Sequence, residues 1–381
     1  MRSKPVIRVE LFATLLFGAV VAGCSGGSGG GDATGVDQPA ANCQGSCADA
    51  SSFLSAVEVE QVIAQGVAEA QGRNVNATIA VVDRVGNVLA VFRMGDAASR
   101  PVLIASSVNA AGEADIATKT GLEGLSLPTV GLQFNLDGLA AIAKAITGAY
   151  LSSEGNAFST RTASQIVQEN FNPGERDQPG GPLFGVQFSQ LACSDFSQRF
   201  AGPGAGPGPQ RSPLGLSADP GGLPLYKGGT VVGGVGVLAD GLYAADKNIA
   251  DRDQDLDELI AVAASFGFAA PPGRRGERIT VDGKTFRYLD AGFADLLSDP
   301  ASAPAFIAIA SSGALIAVPG YVGGGAVRAG TAFGTPGSGI RPDVEGQFAA
   351  ALDAFVFVDA ENQPRFPPRA GSEPAGPGFT P

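Results

Sequence analysis

The sequence predicts an α+β fold, an antiparallel sheet with helices packed against it. Two observations carry that prediction. The spacing of apolar residues changes along the chain in the order helix, hairpin, helices, hairpin, helix. Both early hairpins join β-branched strands through turns rich in Gly, Asp or Asn. With 381 residues, 44% of them hydrophobic, the chain is also long enough to bury a sizeable core.

The first helix is expected over Ser55 to Gln71, where Val59, Val62, Ile63, Val67 and Ala70 fall on one face and Gly72 ends the run. Ala77 to Val82 and Val88 to Met94 read as two strands around the turn residues Asp83-Arg84-Val85-Gly86-Asn87. Gly95 to Pro128 is less regular and reads as an insertion with weak helical pieces. Leu136, Leu139, Ala143, Ile146 and Tyr150 mark a second helix, which carries Lys144. Ser159 to Asn170 is a third, with Ala163, Ile166 and Val167 on one face. Asn172 to Asp219 is dominated by Gly and Pro and reads as a long loop.

The second hairpin is expected from Leu223 to Tyr226 and from Thr230 to Leu238. On its second strand Gly234 and Gly236 share one face and Val235 and Val237 the other. A glycine face lets a helix or a ligand approach the backbone closely. Asp255-Leu256-Asp257-Glu258 then has the pattern of a capping box that starts a helix to Phe266. After Pro271-Pro272 the character changes. Ile279 to Tyr288 reads as a hairpin with an Asp282-Gly283 turn, Phe306 to Val318 as a strand pair broken at Ser311-Ser312-Gly313, and Phe355 to Val358 as one more strand.

The N-terminus reads as an export signal. Arg2, Lys4 and Arg8 precede an apolar stretch, Leu11 to Val21, that is too short to span a bilayer. Val21-Ala22-Gly23-Cys24 has the form of a lipobox, so Cys24 is the expected lipidation site and the bilayer an expected partner. Similarity to bacterial lipoproteins with Ser25 after the cysteine implies the outer membrane. Ser25 to Asp32 forms a Gly/Ser tether. Of the other cysteines, Cys43, Cys47 and Cys193, two are expected to form one disulfide, either Cys43 with Cys47 or one of them with Cys193. The expected organisation is residues 1–23 leader, 24–51 anchor and tether, 52–270 α+β domain, 271–363 β-rich extension and 364–381 a Pro-rich disordered tail.

Composition excludes several functions. The chain has no His, which removes Ser-His and Cys-His nucleophile pairs, His-metal motifs and His-ligated haem. A net charge of -12 argues against nucleic acid as a partner. Gly234 to Ala239 matches G-x-G-x-x-A, but its glycines lie inside a strand rather than before a helix. Gly283-Lys284-Thr285 lacks the first glycine of a P-loop. Asp246, Asn248, Asp251, Asp253, Asp255 and Asp257 are dense in oxygen ligands. The glycine and closing Glu of an EF-hand are absent, so they read as a solvated helix start, with calcium the alternative.

Three segments in order resemble the GlcG/HbpS-like family of small haem-binding domains. They are ATIAVVDRVGNVLAVFRM from Ala77, AIAKAITGAY from Ala141 and PGGLPLYKGGTVVGGVGVLAD from Pro220. The resemblance covers about Ser52 to Phe268, with two long insertions, and stops before the extension. It implies a profilin-like antiparallel sheet flanked by helices, frequent homo-oligomers, and haem or a related tetrapyrrole as ligand. Without His, an axial ligand would come from Tyr150, Tyr226, Tyr243, Met94 or a cysteine, and Arg93, Lys144 and Arg161 are candidates to meet propionates. The family segments add Asp83, Gly221, Gly222 and Pro224 as candidate ligand-binding residues. The pocket is expected between the glycine-faced hairpin and the Lys144 helix, and replacing Lys144 or Arg161 is expected to weaken binding while leaving folding intact.

The leading expectation is a non-catalytic, lipid-anchored binding protein. One alternative is an enzyme acting on a small organic acid, with Lys144 and Arg161 holding the carboxylate and Asp83 as general acid or base. The other is a structural, oligomeric lipoprotein. No activated nucleophile or metal triad is visible.

Overall fold

The computed structural model describes residues 52–96, 101–108, 114–115, 124–127, 135–186, 206–344 and 355–365. Cys24, Cys43, Cys47 and Cys193, with the leader, the tether and the Pro-rich tail beyond residue 365, lie outside the described residues.

The α+β class is what the structure has. Its centre is a five-stranded, fully antiparallel sheet in the order β11-β2-β1-β7-β6. The strands are β1 (Thr78–Asp83), β2 (Val88–Met94), β6 (Gly222–Lys227), β7 (Thr230–Leu238) and β11 (Gly313–Leu315). Helices cover both faces. On one lie α1 (Ala56–Gly72) and α4 (Leu256–Ala264), and on the other lies α2 (Leu136–Tyr150). All six residues of β1 are therefore buried, with Ile79 and Val81 in the α1/α4 core and Ala80 and Val82 in the α2 core.

Local chemistry explains the helix ends. Ser55 and Glu58 form a reciprocal capping box at the start of α1. The short helix α3 (Thr160–Ile166) begins with another, between Ser159 and Thr162. At α4 only half of the expected box forms. The Asp255 side chain accepts from the Glu258 N–H, but the Glu258 carboxylate turns inward to Arg161.

Four segments differ from the sequence reading. The first insertion holds strands and not helices where it is described: β3 (Val102–Val108), β4 (Ala114–Asp115) and β5 (Ser126–Leu127). β4, β5 and β8 (Leu242–Asp246) all pair with β3, and β8 is a strand too short and too mixed in polarity to be legible. The Phe306 to Val318 strand pair is a helical turn, α5 (Phe306–Ile309), followed by the single strand β11. β11 pairs with β2 rather than with its own neighbour, because Gly313 lets it lie against the strand edge, where a Cβ would stand 2.1 Å from the Arg93 carbonyl. The extension is turn-rich, and its other strands, β9 (Thr280–Val281), β10 (Lys284–Thr285), β12 (Ile340–Pro342) and β13 (Phe355–Phe357), are two or three residues long. The β9–β10 hairpin does turn at Asp282-Gly283, both at positive φ (50° and 75°).

Among the described residues no helix is long and apolar enough to cross a membrane.

Candidate functional site

The residues singled out in the sequence are brought together in part, but not around an opening. The glycine face of β7 is filled by α2. A Cβ on Gly236 would stand 2.1 Å from the Ala141 carbonyl oxygen, and one on Gly234 would stand 2.2 Å from that of Ala145. Gly222 is equally tight, 2.3 Å from Thr160 Cγ2 and 2.5 Å from the Lys144 carbonyl, and its N–H donates to Thr160 Oγ1 at 3.0 Å. Gly221, at φ 96°, packs against Asp257. Pro224 lies in the edge strand β6, opposite Gly234 of β7, the kind of strand in which Pro is tolerated. The glycines of the Pro220 to Asp240 segment thus admit helices, and the pocket expected between hairpin and helix is closed.

The charged candidates have internal partners. Arg93 makes a two-pronged ion pair with Asp137, at 2.6 Å from each carboxylate oxygen, and Thr78 Oγ1 donates to the same group at 2.8 Å. Both partners are at most 2% exposed. Lys144, wholly buried in α2, lies between Asp257, at the start of α4, and Asp219, whose Oδ2 is 2.5 Å from Nζ. Arg161 binds Glu258 at 2.7 Å, Asp246 at 2.6 Å and Asp290 at 2.9 Å. Breaking a buried pair by removing one partner strands the other charge and costs about 3–5 kcal/mol. The expectation that Lys144 and Arg161 can be replaced without harm to folding is therefore corrected.

The protonation of the Lys144 group follows from its burial. Desolvation disfavours the ammonium, but Asp219 and Asp257 outweigh it and hold Lys144 above its ordinary value. Desolvation pushes Asp219 up to about 8 and Asp257 well above the usual carboxylate range, against the pull of Lys144. A triad of one ammonium, one carboxylate and one carboxylic acid is neutral, and burial favours it over one with two carboxylates.

Asp83 is buried at the β1–β2 turn. Its Oδ1 accepts the N–H groups of Asn87 and Val85 at 2.9 and 3.1 Å. Its Oδ2 accepts Asn87 Nδ2 at 2.9 Å and the N–H of Thr331 at 3.1 Å. Burial raises its pKa, opposed by these hydrogen bonds. The carboxylate shapes the turn and ties it to the extension. Met94 is 2% exposed, and its sulfur accepts the Ala77 N–H at 3.4 Å.

The tyrosines proposed for iron are likewise enclosed. Tyr150 OH donates to the Val85 carbonyl at 2.9 Å, and Tyr226 OH to that of Ser153 at 2.7 Å. Tyr243 OH is buried beside Ser217. A porphyrin does not fit the slot that these residues were expected to form, because helix backbone already occupies it.

An open cavity lies beside the β1–β2 turn, next to Asp83 and Tyr150. It has a volume of about 570 Å³ and is lined by the β1–β2 turn (Gly86 to Leu89), Gln210 and extension residues including Tyr321, Arg328 and Thr331. That volume is within the range of small-molecule sites, about 300–1,000 Å³. Arg328 is exposed there, held at its backbone by an N–H bond to the Leu89 carbonyl at 2.9 Å, and its guanidinium has no ion-pair partner among the described residues. Tyr321 OH donates to the Arg211 carbonyl at 2.9 Å, and burial pushes the phenol up to about 12. Neither residue is legible as a site in the sequence, since both lie in the extension, where no motif marks them.

The acidic run separates into different tasks. Asp255 caps α4, and Asp257 binds Lys144. Asp246 and Asp257 are buried, so the solvated reading is corrected for those two, while Asn248 and Asp251 are exposed. Asp246, Asp251 and Asp253 converge, with carboxylate oxygens within 4.8 Å of one another, and Asp246 is already paired with Arg161.

Comparison with known proteins adds little to this picture. No family model matches the chain, and no curated protein does. Two solved structures are similar over about half of it. One is a PduOC–heme complex, 17% identical with a TM-score of 0.31, covering 57% of this chain and 96% of that one. The other is protein ORFY of Klebsiella pneumoniae, of the DUF336 family, 21% identical with a TM-score of 0.29, covering 55% and 87%. At that level of similarity neither neighbour identifies a ligand for this chain.

Proposed function

We propose that the chain is an exported, lipid-anchored binding protein without catalytic function, held at the outer membrane through Cys24. Its ligand is a flat, carboxylate-bearing molecule of the tetrapyrrole class, haem included. The observation that carries this reading is Arg328. It is a cation facing a cavity of ligand size with no carboxylate to neutralise it among the described residues, whereas Arg93, Lys144 and Arg161 are all paired. A ligand carboxylate would supply the missing charge. Tyr321 is the wall residue able to ligate iron, once its phenol loses the proton now given to the Arg211 carbonyl. Self-association is part of the same proposal and rests on the sequence resemblance alone.

Titration of the unlipidated chain with haemin, followed by absorbance, tests the reading. A saturable Soret shift that weakens in Arg328→Ala supports it, and a changed Soret position in Tyr321→Phe assigns the ligand. A linear, unsaturable response overturns the tetrapyrrole. Thermal stabilisation by small mono- or dicarboxylates, lost in Arg328→Ala, would then redirect the same site to organic acids.

A further inference from the structure

The Lys144 triad is more than an ion pair. Lys144 Nζ lies against Asp257 Oδ2 and 2.5 Å from Asp219 Oδ2, with Lys144 wholly buried and the two carboxylates 2% and 8% exposed at the side chain. The two acids are not equivalent. Asp257 Oδ1 accepts two backbone N–H groups, from Ala239 at 2.7 Å and Asp240 at 3.3 Å. They converge on one oxygen of a carboxyl group whose other oxygen faces an amine, which is the donor arrangement that stabilises a developing oxyanion. Asp219 Oδ1 accepts the Ala244 N–H at 3.1 Å, and its Oδ2, 2.5 Å from Lys144 Nζ, has no hydrogen-bond partner among the described residues.

We propose that Lys144 and Asp257 condense to an intramolecular amide, with Asp219 as the proton carrier. In the neutral triad Asp219 takes a proton from Nζ, and the freed amine attacks Cγ of the protonated Asp257 carboxyl. The N–C bond forms while Oδ1 carries the negative charge against the Ala239 and Asp240 N–H groups. The C–Oδ2 bond then breaks, and the oxygen leaves as water with the second proton of the nitrogen. Asp219 ends as a neutral acid, and no oxidant, reductant or cofactor is needed. Burial favours the product, because an amide replaces charges in a site closed to water. Fixed contact between amine and carboxyl supplies the high effective concentration that such a condensation requires. The link would join α2, on one face of the sheet, to α4, on the other, and close a loop over the 113-residue separation between the partners.

Peptide mapping of the purified, denatured full chain tests this directly. Trypsin cuts after free Lys144 but not after its acylated form. The expected product is a branched peptide joining the Lys144 and Asp257 segments, lighter than its parts by one water, about 18 Da. Asp219→Asn keeps the shape of the carrier but not its basicity, and is expected to give the unlinked peptides from a folded chain. Complete cleavage after Lys144 in the wild-type protein overturns the proposal. A branch from Lys144 to Asp219 overturns the assignment of Asp257 as acceptor.

Discussion

Gly236 of β7 faces Ala141 of α2 with no room for a side chain, since a Cβ would stand 2.1 Å from the Ala141 carbonyl oxygen and 2.5 Å from the Ala145 nitrogen. Backbone cannot move aside as a flexible side chain can. Gly236→Ala is therefore expected to destabilise the fold by at least the ~1–3 kcal/mol of ordinary overpacking. Gly273→Ala, where nothing lies within 4 Å, is expected to be near neutral. Urea unfolding of the two variants checks this, and equal stabilities would mean that the helix does not sit on the glycine face.

Arg93 and Asp137 pair inside the protein, so removing one charge leaves the other buried. Arg93→Met is expected to cost about 3–5 kcal/mol. Adding Asp137→Leu to the same chain is expected to recover much of that loss, because the stranded carboxylate is gone. A double-mutant cycle by chemical denaturation reads the coupling, and additive losses would contradict the pair seen here.

Glu69 gives the fold an acid limit. Burial alone would raise its pKa. Hydrogen bonds from Ser298 Oγ, the N–H groups of Leu297 and Ser298, and Arg73 outweigh burial and hold it below the ordinary value. A carboxylate depressed on folding contributes stability above its unfolded pKa, about 4.3, and that contribution fades as pH falls through the folded value. Stability is thus expected to drop on acidification below about pH 4.3, with a shallower drop in Glu69→Gln. Unfolding free energies measured across that range decide it, and parallel curves would remove Glu69 from the account.

Arg328 is expected to act on affinity and not on the fold. Its side chain is exposed and has no ion-pair partner among the described residues, so Arg328→Ala should change stability by no more than about 0.5 kcal/mol. Loss of one charged hydrogen-bonding group should weaken binding of a carboxylate ligand by about 1.5–3 kcal/mol, roughly ten- to a hundred-fold. Calorimetric titration of both chains separates the two effects. An unchanged affinity would move the binding site elsewhere.

Elements with a strong local signal are legible in the sequence alone. Capped helices such as Ser55 to Gly72, strands such as Val88 to Met94, and the Gly228-Gly229 and Asp282-Gly283 turns follow from short-range periodicity and backbone preference. It also marks Gly234 and Gly236 as a face for close approach, Lys144 and Arg161 as candidate cations, and the absence of His as a limit on chemistry. What it could not determine was which partner each of these meets. A glycine face suits a helix or a ligand equally, and only the packing of α2 on β7 shows that the helix occupies it. A lysine at helical spacing reads alike whether it meets a ligand or Asp257, 113 positions away. The cavity is invisible in the sequence for the same reason, because the β1–β2 turn near residue 87 and Arg328 become its walls only when β11 adds the extension to the sheet edge. Local chemistry is written in neighbouring residues, but burial and charge pairing are properties of long-range contact, and those belong to the tertiary structure.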